Sequence, residues 1–155
     1  MNVEHRNILL ADDDDNDVML LRMAFAKLRP ALNLQRVQDG VEAIQYLDGE
    51  GIYADRERYP LPSLLLLDLK MPRRNGFEVL AWLRTNPTFK WLIVTVLTAS
   101  KDDVDIRRAY SLCTNSYLVK PATLEGLEKM SKTIKEYWIE MNEHAPCVLA
   151  EAQTL

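Results

Sequence analysis

Five short apolar runs, each followed by a segment of helical spacing, constrain this chain more than any other feature. "ILLA" (Ile8 to Ala11), "LLLLD" (Leu64 to Asp68), "LIVTVL" (Leu92 to Leu97) and "SYLV" (Ser116 to Val119) are near-continuous, and "LQRV" (Leu34 to Val37) is the weakest. A strand that is apolar at successive positions must be covered on both faces, because neighbouring side chains point to opposite sides of the sheet. Between the runs, Val18, Leu21, Met23, Phe25 and Leu28 outline one helical face, and Val41, Ala43, Ile44 and Leu47 another. "GFEVLAWLR" (Gly76 to Arg84), "DDVDIRRAYSL" (Asp102 to Leu112) and "LEGLEKMSKTIKEYWIEM" (Leu124 to Met141) supply three more helices. This alternation predicts parallel strands joined by right-handed crossovers, a doubly wound α/β sheet of five strands and five helices.

A chain of 155 residues, 48% apolar, is sized for one such domain, placed at residues 5–142. Residues 143–155 read as a tail that is either frayed or held in a dimer contact, and Asp48 to Pro62, with two glycines and two prolines, as a surface loop. Net charge is -4 and the basic residues are scattered, so neither DNA nor RNA is an expected ligand. The two cysteines, Cys113 and Cys147, lack metal-ligand spacing and suit a reducing compartment. With no run long enough for a membrane span or a secretory signal, a cytoplasmic protein is expected.

In open α/β sheets, ligands bind beyond the carboxyl ends of the strands. Those ends carry Asp12 and Asp13, Asp68, Thr98 with Ala99, and Lys120 with Pro121. Each has an ordinary reading alone: the acids Asp12 to Asp15 as helix caps, Thr98 as a cap for the following helix, Asp68 and Lys120 as solvated strand ends. Together they make a different pattern. Carboxylates crowded at one point raise one another's pKa unless a hard, oxygen-preferring cation such as Mg²⁺ lies among them. A cation, an ammonium and a hydroxyl can then hold the three oxygens of a phosphoryl group. Asp68, at the end of the central apolar strand, is the candidate nucleophile, since a carboxylate accepts a phosphoryl group as an acyl phosphate.

The motifs "ILLADD", "LLLLDLKMPRRNGFEVL", "VTVLTAS" and "NSYLVKP", in that order, resemble the receiver domains of two-component response regulators, CheY-like proteins with a flavodoxin-like fold and strand order 2-1-3-4-5. The loop "YLDGEGIYADRERYPLPSLLLLDLKMP" also resembles single-domain regulators partnered with phytochromes. The resemblance implies Asp68 as phosphoacceptor and Asp13 with Asp68 as direct Mg²⁺ ligands. It implies Asp12 acting largely through water, and the main-chain carbonyl of Lys70 as a further metal oxygen. Thr98 would bond the phosphoryl group, Lys120 would pair with it, and Tyr117 would be the switch aromatic that follows Thr98. It also implies a cis peptide at Lys120–Pro121. The partners implied are a sensor histidine kinase, of the phytochrome kind by the loop resemblance, and a downstream protein target. The aromatic end of the last helix (Tyr137, Trp138, Met141) suits end packing or a homodimer seal.

Three departures from the family pattern stand out. Lys70 replaces a smaller polar residue, Cys113 stands where glycine is common and so calls for a turn suited to a side chain, and Asp14 and Asp15 extend the acidic pair as cap and first-turn residues. Two rival functions are a Mg²⁺-dependent phosphatase of the haloacid-dehalogenase type, from the Asp-x-Asp at Asp12 to Asp14, and a phosphorylation-independent interaction module. An FMN-binding flavodoxin fits worse, because the acidic loop after the first strand would repel phosphate.

Overall fold

The computed structural model describes residues 6–145. Five parallel strands, β1 (Asn7–Ala11), β2 (Asn33–Val37), β3 (Leu64–Leu67), β4 (Ile93–Thr98) and β5 (Ser116–Val119), form one sheet in the order β2-β1-β3-β4-β5. Helices α1 (Asp15–Ala26), α2 (Gly40–Asp48), α3 (Gly76–Thr85), α4 (Asp103–Ser111) and α5 (Leu124–Ile134) provide the crossovers. Strand order reverses between β1 and β3, and the acidic residues emerge on either side of that point.

The four leucines of β3 are fully buried because the sheet is covered on both sides. Leu65 and Leu67 pack with α2 and α3 through Tyr46, Leu47, Val79 and Leu80. Leu64 and Leu66 face α1 and α5 through Val18, Leu21, Leu127 and Ile134. Burying each leucine contributes about 1.5–3 kcal/mol, which fixes β3 and the position of the residue that follows it. Capping residues start four of the helices where the sequence changes period: Asp14, Asp39, Asn75 and Thr123 each accept a first-turn backbone N–H.

Several local expectations are corrected. Met23 is exposed, so the buried face of α1 runs through Val18, Leu21, Ala24 and Phe25. The segment 48–62 is packed rather than free. It contains a 3₁₀ turn at Gly51–Ala54, and Tyr53 lies 4.9 Å from the Tyr46 ring and 5.0 Å from that of Tyr59. Arg56 ties the segment to the carbonyls of Tyr46 and Leu47 at the end of α2. Cys113 takes the left-handed conformation, φ 64°, that favours glycine, so the turn is not one suited to a side chain. Lys120–Pro121 is trans. Proline lowers the cost of a cis bond without removing the preference for trans, and among the described residues the cis bond is Arg29–Pro30.

The last helix continues past Ile134 as π-helical turns over Lys135–Met141, closed by Asn142 N–H donating to the Tyr137 carbonyl five residues back. Tyr137 and Met141 are exposed there, while Trp138 packs against the α1–α5 side of the core. The expected tail at 143–155 falls, from residue 146 on, outside the described residues.

Candidate functional site

Strand register brings the acidic positions together. Ala11 pairs with Leu67, so Asp12 and Asp68 leave neighbouring strands at the same level, about one strand spacing of ~4.8 Å apart. Asp12 N–H donates to the Val37 carbonyl and Asp68 N–H to the Ala11 carbonyl, extending the ladder up to the acids themselves. One carboxylate oxygen from each of Asp12, Asp13 and Asp68 lies within 4.8 Å of the other two. Asp13 is exposed, whereas Asp12 and Asp68 are buried.

Lys120 follows β5, two strands from Asp68, and its long side chain crosses back over the sheet end. Its Nζ lies 2.9 Å from Asp68 Oδ2, 2.8 Å from Asp12 Oδ2 and 2.7 Å from Asp17 Oδ2. Burial alone would lower the Lys120 pKa, but the contacts with Asp12, Asp17 and Asp68 outweigh it and hold the ammonium above its ordinary value. Asp12 moves the opposite way from a well-satisfied acid: burial raises its pKa, and Lys120 with the Asp14 N–H only partly offsets this. The geometry agrees. Asp12 Oδ2 meets the ammonium at ion-pair distance but outside hydrogen-bond geometry, leaving a buried carboxylate oxygen short of a directed donor. That oxygen and the two carboxylates beside it suit a divalent cation.

The opposite wall comes from the end of β4. Thr98 is buried, and its carbonyl accepts the Lys120 N–H at 2.8 Å, which couples the two strand ends. The loop beyond it is pinned at Ser100, whose hydroxyl donates to Asp105 Oδ2 at 2.6 Å and whose carbonyl accepts the Tyr117 hydroxyl at 2.9 Å. Tyr117 is half-buried, and burial raises its pKa, so it is a neutral donor. Asp13, Asp68, Lys70, Thr98 and Lys120 all line one open cavity of about 480 Å³. Lys70 is exposed at its rim, and Asp68 pairs instead with Lys120.

The structure therefore gathers Asp12, Asp13, Asp68, Lys70, Thr98 and Lys120 at one place, with Tyr117 reaching it through Ser100. Asp14 caps α1 by accepting the Asp17 N–H at 3.0 Å, and Asp15 lies in the first turn. Two participants escaped the sequence reading. Asp17 contacts Lys120 directly, and its signal was its place at the third position of α1, where the Cα–Cβ bond tilts back toward the helix start. Arg36 donates from Nε to the Asp12 carbonyl at 2.9 Å, and its guanidinium forms an ion pair with Asp15 at 2.9 Å. Its position in the short run "LQRV" gave no such indication.

Comparison with known proteins points the same way. Residues 8–132 match the response regulator receiver domain. The chain is 38% identical over 138 residues to FilR2, described as a probable methanogenesis regulatory protein of Methanothrix harundinacea, covering 87% of this chain and 84% of that protein. It is 37% identical over 133 residues to response regulator Rcp1 of Synechocystis sp., covering 86% and 88%. The Mn²⁺-bound form of Rcp1 superposes with a TM-score of 0.79, 35% identity and coverage of 90% and 99%. The phosphorylated cyanobacterial phytochrome response regulator RcpA superposes with a TM-score of 0.84, 37% identity and coverage of 92% and 99%. The chain belongs to the response regulator receiver domain family, whose members act as phosphoacceptor switches in two-component signalling.

Proposed function

We propose that Asp68 is the phosphoacceptor of this switch. The observation that carries the reading is its placement: a buried carboxylate, paired with Lys120, beside two further acids and opposite Thr98. In the transfer, an Asp68 oxygen attacks phosphorus as the bond from phosphorus to the kinase histidine nitrogen breaks, and the electron pair returns to the imidazole. Lys120 holds the transferring oxygens by charge, and the Thr98 hydroxyl donates to one of them. Asp12, Asp13 and Asp68, with the Lys70 carbonyl, would hold Mg²⁺, Asp12 largely through water. Bound there, the ion would offset charge on the phosphoryl group.

Movement of Thr98 toward the phosphoryl group would shift the loop that holds Ser100, and with it the Tyr117 hydroxyl. The readout is altered binding rather than turnover of a substrate. Val104 and Tyr110 on α4 and Tyr137 after α5 are exposed, and such apolar surface suits a downstream protein or a second copy of the chain. Likeness to RcpA supports a phytochrome-type sensor histidine kinase as phosphodonor, and a cytoplasmic setting follows from that partnership.

Intact mass after incubation with acetyl phosphate tests this reading. Wild type gains the mass of one phosphoryl group with Mg²⁺ and none with chelator. Asp68→Asn gains none under either condition. Equal modification of the variant contradicts the assignment.

A further inference from the structure

We infer that Asp17 is a positioning residue for the cation site. By drawing on the Lys120 ammonium, it keeps that charge from saturating Asp12 and Asp68, so that a divalent ion competes for them. The inference rests on the reading of Asp12, Asp13 and Asp68 as metal-holding acids.

Three observations carry it. Lys120 Nζ sits 2.7 Å from Asp17 Oδ2, no farther than from either candidate ligand, although Asp17 lies on a different element from both. Asp17 stands apart from the group of three acids able to share one ion. Its backbone is fixed, because its N–H donates to the Asp14 side chain. An ammonium has three donor hydrogens, and here two are directed at Asp17 and Asp68. Removing the Asp17 charge returns that share of the ammonium to Asp12 and Asp68, where it opposes an incoming cation. Asp15 is the internal comparison. It is an acid of the same helical turn, but it pairs with Arg36 and does not touch Lys120.

Calorimetric titration with Mg²⁺ alone tests this without any phosphoryl transfer. Asp17→Asn keeps the shape and a hydrogen-bond acceptor, and is expected to weaken Mg²⁺ binding about fivefold, the scale of one partly exposed ion pair. Asp15→Asn is expected to change it less than about twofold. In a Lys120→Met background, checked for folding by circular dichroism, Asp17→Asn is expected to fall to the Asp15→Asn level, because the residue through which Asp17 acts is gone. Equal effects of the two Asn variants overturn the inference, as does an Asp17→Asn loss that is unchanged without Lys120. Wild type that binds no Mg²⁺ overturns the site reading itself, and the inference with it. Wild type that binds while Asp17→Asn matches it overturns the inference alone.

Discussion

Asp12 is buried beside a lysine, yet it is less well satisfied than its neighbours. Burial raises its pKa above the ordinary 3.8, so its contribution favours the fold below that pH and is lost as pH rises through the folded value. In its ionised form the group therefore opposes folding in the absence of a cation. Lys120 has the contrary sign: its pKa is raised above 10.5, so its stabilisation is fully present at neutral pH, and three acids share it. Asp12→Asn should stabilise the metal-free protein by on the order of 1 kcal/mol, raising its melting temperature, while weakening Mg²⁺ binding. Thermal denaturation with and without chelator reads both effects. A lower melting temperature in chelator would show that the ion pair outweighs the burial cost.

At the scale of elements, the loop after β3 is held by its neighbours. A Cβ on Gly76 would lie 2.3 Å from the Asp68 carbonyl, and one on Gly40 equally close to the Arg74 carbonyl. The Asp39 carboxylate both caps α2 and pairs with Arg73, which itself has φ 63°. Gly76→Ala should therefore displace the Asp68 loop, costing about 1–3 kcal/mol in stability and lowering acetyl phosphate reactivity, measured by urea denaturation and intact mass. The tyrosine cluster behind α2 makes a separate prediction. Burial pushes the Tyr46 hydroxyl up to about 12 from 10.0, so the stability it confers is present below pH 10 and is lost as pH climbs toward the folded value. Tyr46→Phe gives up the bond to the Pro60 carbonyl, about 1 kcal/mol at neutral pH, but should lose less stability than wild type across that alkaline interval. Denaturant titrations at the two ends of the interval decide it. The strands were legible in the sequence because both-face burial demands continuous apolar runs, whereas the caps at Asp39 and Asn75 emerge only from the structure. The packing of 48–62 was not legible, because glycines, prolines and charges mark a turn without saying that Tyr53 lies inward. The π-helical end of the last helix carries no signature in residue types.

For the whole molecule, the register of one sheet places acids from β1 and β3, a hydroxyl from β4 and an ammonium from β5 at a single rim. Those rim residues were legible because four of the five strand runs end at them. Asp17 and Arg36 were not, because their roles depend on how α1 and β2 lie against the strand ends. Net charge of -4 and the acidic rim together favour cation uptake. The central claim is that phosphoryl transfer ends on Asp68 and on no other acid of the cluster. Borohydride reduction of the protein after acetyl phosphate and Mg²⁺ treatment, followed by peptide mass mapping, tests it directly, because reduction converts an acyl-phosphorylated aspartate to homoserine. Homoserine at position 68 alone is the expected result. Homoserine at Asp12, Asp13 or Asp17, or at no position in protein shown to bind Mg²⁺, would contradict it.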